Sequence, residues 1–100
     1  MIVYSVTVKI ETDVHDDWLA WMRDVHIPDV LATGFFVDHR MLRLMEEDAR
    51  DGITYNIQYR ARSMSDILTY QQEAAPALQK DHTERYEGKF VAFRTFLREV

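Results

Sequence analysis

The apolar residues of this chain change period along its length, from two to 3.6 and back, and that order restricts the fold more than any other feature. Ile2, Tyr4, Val6, Val8 and Ile10 alternate with Val3, Ser5, Thr7 and Lys9, the period-two pattern of a strand with one strongly apolar face. In TDVHDDWLAWMRDV, Val14, Trp18, Trp21, Met22 and Val25 recur at helical spacing. Thr12 or Asp13 can cap this helix, and Asp16 and Asp17 suit its positive N-terminal end. Pro28 has no amide to donate, so HIPDVLATG is expected to kink the helix or open a short second segment ending at Gly34.

FFVDHRMLRLME then reads as a second strand, and EDARDG as its turn, with Asp51-Gly52 tolerating positive φ. The cleanest alternation follows: Ile53, Tyr55, Ile57, Tyr59 and Ala61 against Thr54, Asn56, Gln58 and Arg60. Ser63 and Asp66 resemble a capping box for a second helix running to about Tyr86, with Met64, Ile67, Leu68, Ala74, Ala75, Leu78 and His82 at helical spacing. Pro76 predicts a kink, Gly88 a stop, and KFVAFRTFLREV a fourth strand. No linker, repeat or low-complexity segment interrupts the pattern, so residues 1–100 are read as one domain.

The order βαββαβ, with right-handed crossovers, predicts an α+β fold: an antiparallel four-stranded sheet of order 4-1-3-2 carrying both helices on one face. The helices are expected to cover Tyr4, Val6, Tyr55, Ile57, Val91, Phe93 and Leu97. The other face would then show Val3, Ser5, Thr7, Asn56, Gln58, Phe90, Ala92, Arg94 and Phe96. A solvated face would not carry two Phe on one strand, so a second subunit is expected to cover it and make a homodimer.

Composition removes several function classes. The chain has 100 residues, and surface scaling predicts roughly 65% of the unfolded surface buried, enough for one core. It contains no cysteine, which excludes disulfides, thiolate ligands and cysteine nucleophiles and fits the cytoplasm. The N-terminus lacks the basic start and unbroken apolar run of a signal peptide, and no apolar run approaches the ~20 residues of a membrane span. A net charge of −5, with basic residues scattered from Lys9 to Arg98, argues against nucleic acid as a partner.

HIPDVLATGFF, APALQKDHTERYEGKF and VAFRTFL resemble an uncharacterised bacterial domain-of-unknown-function family within the dimeric α/β-barrel superfamily. In that superfamily two ferredoxin-like protomers pack sheet against sheet, and its members include small isomerases, cyclases and cofactor-free monooxygenases. The resemblance covers nearly the whole chain and implies fold and dimerisation, with no established activity. His26 with Pro28 is similar to the helix-end His-x-Pro pattern of some members, whose histidine lies by the ligand cavity and acts in catalysis. The haem-degrading members place an Asn, His and Trp constellation differently from Asn56, His82 and Trp18, so neither haem nor any other cofactor is expected.

His26 lies four residues after Met22 and eight after Trp18, and His82 lies four after Leu78, so each extends an apolar helix face. The two central strands are expected to run parallel with each helix returning antiparallel to its strand, so both helix C-termini reach one edge and the histidines become neighbours. A helix C-terminus favours protonated imidazole, and Asp24, Asp29 and Asp81 stand ready to orient it, which makes an acid–base or anion-binding pair. The bland alternative is that each histidine bonds locally and seals the core. Metal-ligand spacing is missing, and no metal is expected.

Arg94 is expected on the bare face beside Phe90 and Phe96, with Asn56, Gln58, Ser5 and Thr7 around a ligand; arginine among aromatics suits a planar anion. An interchain ion pair with Asp38 is the competing reading. Trp18, Trp21, Tyr55 and Tyr59 are read as core, and the acidic cluster Asp13, Asp16 and Asp17 as a helix start. Two functions stay open: a small-molecule binder, including a cofactor-independent isomerase, cyclase or monooxygenase, and a non-catalytic dimerisation or interaction module.

Overall fold

The period-two segments form strands at the expected places in a computed structural model that describes all residues from Met1 to Val100. β1 spans Ile2–Ile10, β2 Asp38–Arg43, β3 Ile53–Ala61 and β4 Phe90–Arg98, in the sheet order β2-β3-β1-β4. The helical segments are α1 (His15–Trp21), α2 (Ile27–Ala32), α3 (Met64–Glu73) and α4 (Ala75–Arg85). This is the ferredoxin-like βαββαβ layout, with the helices on one face of the sheet. No helix is long and apolar enough to cross a membrane.

Local chemistry sets the element ends. Ser63 caps α3 by accepting the Asp66 amide, and Pro76 opens α4 after the chain breaks helical geometry at Ala74 (φ −122°). Gly52 closes the β2–β3 hairpin at φ +114°, where a Cβ would lie 2.9 Å from the Ile10 carbonyl oxygen. β2 begins later than expected, because Phe36 turns into the core and is 6% exposed. At the start of α1, Thr12 does not cap; its hydroxyl donates to the Ala49 carbonyl.

Two directions differ from the expectation. β1 and β3 pair antiparallel, with Ile2 opposite Ala61 and Ile10 opposite Ile53. Each helical segment returns against the strand before it, so the two segments run antiparallel and their C-termini lie at opposite ends. β4 also shows the opposite faces from those predicted. Val6 pairs with Arg94 and Ile10 with Phe90, which puts Phe90, Ala92, Arg94 and Phe96 on the helix side. Val91, Phe93 and Leu97 face away, 68%, 61% and 48% exposed. Alternation could not decide this, because β4 is apolar on both phases.

The helical period also slips. Met22–His26 forms a π turn, in which the Ile27 amide donates to the Met22 carbonyl five residues back. It lies directly before Pro28, whose missing amide and bulky ring disturb regular α bonding at this point. The buried residues are therefore Trp18, Met22, Ile27 and Val30, with one spacing of five, and Val25 turns outward at 41% exposure.

The core lies between sheet and helices, around Trp18, Tyr4, Ile10, Ile57 and Ile67, each at most 2% exposed. Burial of such side chains stabilises by about 1.5–3 kcal/mol each. Tyr55 and Tyr59 belong to this core as expected.

Candidate functional site

The reversed face of β4 carries Arg94 to the helix side, and the π turn sets His26 opposite α4. Both open onto one cavity, together with His82, Tyr4, Gln79 and Thr83. Val6, Val8, Met22, Val30, Ile57, Leu78, Phe90 and Ala92 form its apolar walls. Its solvent-sized interior is about 50 Å³, room for a few water-sized groups, and the cavity is open to solvent rather than enclosed.

The histidines are neighbours although the helices run antiparallel, because His26 lies midway along its helical segment and not at its C-terminus. Their ring centroids are 5.8 Å apart, His26 stacks on Trp21 at 5.1 Å, and His82 meets the Phe90 edge at 4.4 Å. Trp18 Nε1 donates to His82 Nε2 at 2.9 Å, a buried bond, whereas His26 makes no side-chain hydrogen bond. His82 is thus locally bonded, as the bland reading had it, while His26 is not.

The expected protonation is reversed. Burial, then the neighbouring His26 and Arg94, pushes His82 down to about 4. Burial also lowers His26, although Asp29 and Asp81 pull it upward. Both imidazoles are therefore predominantly neutral at pH 7, each with one N–H donor and one nitrogen lone pair. Burial raises the Tyr4 hydroxyl, with Arg94 and Gln79 beside it drawing it partly back, and holds Tyr59 and Tyr70 well above the usual range.

Ser5, Thr7, Asn56 and Gln58 lie together on the open face and do not meet Arg94. Asn56 Nδ2 donates to Ser5 Oγ at 2.8 Å and to Thr7 Oγ1 at 3.0 Å, and Gln58 Oε1 accepts from Arg40 Nε at 2.9 Å. Asp38 is held within the chain by Arg60, Nε to Oδ1 at 2.7 Å, and Arg94 lies on the other side of the sheet from it.

The acidic helix start is also differently employed. Asp13 binds Lys89, and Asp17 accepts from the Tyr86 hydroxyl at 2.7 Å. Asp16 contacts His15 Nδ1 at 2.8 Å, and His15 Nε2 contacts the buried Tyr55 hydroxyl at 2.8 Å. That His15–Tyr55 link was not anticipated; only the buried phenol of Tyr55, which needs a partner, signalled it. Gln79, Thr83 and Tyr4 were also missed as cavity residues. No three His, Asp or Glu side chains converge as a metal would require.

Solved structures share the fold at low identity. HapK from Hahella chejuensis is 8% identical with a TM-score of 0.74, covering 100% of this chain and 93% of its own. SnoaB, a cofactor-independent oxygenase from Streptomyces nogalater, is 12% identical with a TM-score of 0.67, covering 99% and 92%. A dimeric ferredoxin-like protein from an uncultured marine organism is 10% identical with a TM-score of 0.68, covering 99% and 94%. No curated protein matches the chain. A family model matches residues 1–100, and the chain accordingly belongs to the family described as a domain of unknown function, DUF4286.

Proposed function

We propose that this chain is a cytoplasmic homodimer that binds a small anionic or aromatic molecule in the cavity between sheet and helices. It acts there without cofactor or metal, as an isomerase, cyclase or monooxygenase. The observation that carries this reading is the convergence of Arg94, His26 and His82 in one apolar-walled cavity. Arg94 is the anion-binding group at the mouth, and His26 and His82 are the candidate catalytic groups. A likeness of fold to a cofactor-independent oxygenase supports the reaction class. Fold alone does not choose it.

The homodimer reading rests on the open sheet face, where Val91, Phe93, Leu97 and Leu42 are exposed beside polar side chains. In this reading Ser5, Thr7, Asn56 and Gln58 serve the interface and not the ligand. The acidic balance disfavours nucleic acid.

Native mass spectrometry of freshly purified protein tests the proposal. A retained small molecule, lost in Arg94→Gln with the dimer intact, is the expected result. A ligand-free dimer that takes up no small aromatic or anionic compound would overturn it and leave the non-catalytic dimerisation module.

A further inference from the structure

We propose that Trp18 is a positioning residue that holds His82 as an Nδ1–H donor, so that the cavity selects a ligand with an anionic oxygen conjugated to a flat carbon framework, a phenolate or an enolate. This rests on the cavity reading above and specifies what the cavity recognises.

The indole nitrogen can only donate. Its 2.9 Å bond to His82 Nε2 therefore requires a lone pair there, and the proton of the neutral ring must sit on Nδ1. Nδ1 makes no hydrogen bond within the protein and is not sealed from solvent, and His82 lines the cavity. Trp18 is fully buried against Tyr55, ring centroids 5.2 Å apart, and the His82 ring packs against Phe90 at 4.4 Å, so packing holds both rings. A donor is thus held on a residue that lines the cavity.

Charge points the same way. No Asp or Glu lines the cavity, although the chain carries 17 of them, and Arg94 forms no ion pair. Its lining includes a guanidinium and an imidazole N–H, both donors, together with the hydroxyls of Tyr4 and Thr83 and the Gln79 amide. Such a set favours negative charge on oxygen over a neutral ring of the same shape. His26, with no hydrogen bond of its own, is the base: it takes the ligand's acidic proton, and the electron pair remains on the ligand oxygen facing the donors. Phe90 and Tyr70 supply flat walls for the framework.

The test has two arms. Long-range ¹H–¹⁵N spectra of the histidine rings at neutral pH read the tautomer directly. The wild type is expected to show His82 protonated on Nδ1, and Trp18→Phe to shift it toward Nε2–H, a change that packing loss alone would not produce. His82 protonated on Nε2 in the wild type overturns the role of Trp18, and that result needs no variant to fold.

In the second arm 4-nitrophenol and its neutral analogue 4-nitrotoluene are titrated below the phenol's own pKa. The phenol is expected to bind about tenfold or more tightly and to show the phenolate absorption band, as charge-assisted donors require. Trp18→Phe should reduce that preference while leaving the part due to Arg94. Equal or tighter binding of 4-nitrotoluene overturns the anion inference while the cavity reading stands. Failure of both compounds to bind overturns both.

Discussion

Mild acid should destabilise this protein through His82, at a pH where its perturbed carboxylates are still ionised. In the folded chain the ring is held down to about 4, against an ordinary value of 6.5. The unfolded chain therefore binds a proton that the folded chain refuses, and stability present above about pH 6.5 is lost as the pH falls toward 4. The gap corresponds to about 3 kcal/mol in total, of which about 2 kcal/mol is gone by pH 5. His26 is lowered too and adds in the same direction. Asp13, Asp38, Glu47 and Asp48 are all held below their ordinary values of 3.8 or 4.5, so their contributions fail only at lower pH. Urea unfolding at about pH 7 and pH 5 measures the loss in the wild type and in His82→Gln, whose amide oxygen still accepts from Trp18. The variant should lose about 2 kcal/mol less than the wild type over this interval. Equal losses would refute the argument, since a group that does not titrate cannot carry the dependence.

Phe93→Asp on the open face should weaken the dimer at least about tenfold, because an exposed Phe buried by a partner contributes about 1.5–3 kcal/mol; a wild type already monomeric at micromolar concentration in analytical ultracentrifugation would end the interface reading. Asn56→Ala breaks its bonds to Ser5 and Thr7 and should cost about 1–2 kcal/mol in thermal unfolding. It should leave ligand uptake intact, and loss of ligand without loss of stability would return the open face to the site. Gly52→Ala places a Cβ 2.9 Å from the Ile10 carbonyl at φ +114°, and should cost about 1–3 kcal/mol in the same melt; an unchanged Tm would contradict the strain.

The architecture was legible because each strand and helix carries its own period. Ile53 to Ala61 alternates over its full length, and the observed strand has those bounds. The candidate site was less legible, for four physical reasons. β4 is apolar on both phases, Phe90, Ala92 and Phe96 on one and Val91, Phe93 and Leu97 on the other, so only pairing with β1 revealed where Arg94 points. His26 was placed by counting four residues from Met22, but the π turn makes Ile27 the next core residue, 3% exposed, and leaves His26 at the cavity. The histidines were expected to meet because two helix ends coincide; they meet because the middle of one helical segment crosses the end of another. Trp18 was read as core, and it is, yet its one polar atom also reaches His82. Apolar spacing does not report such a bond.

The wide turn at Met22–His26 has a consequence for how this protein tolerates insertion and deletion. An α-helix advances about 100° per residue, so losing one residue ordinarily rotates everything downstream off the core. Here the helix already holds one residue more than α spacing needs between Met22 and Ile27. Deleting Asp24 would return the turn to α geometry while Ile27 and Val30 kept their inward face. A chain shortened in this way should fold, yet the imidazole of His26 would no longer be presented to Arg94 and His82. Within this helix, then, folding and the presentation of His26 are separable by one residue, and natural relatives that differ by that single residue would be expected to share the architecture and differ in where that imidazole points.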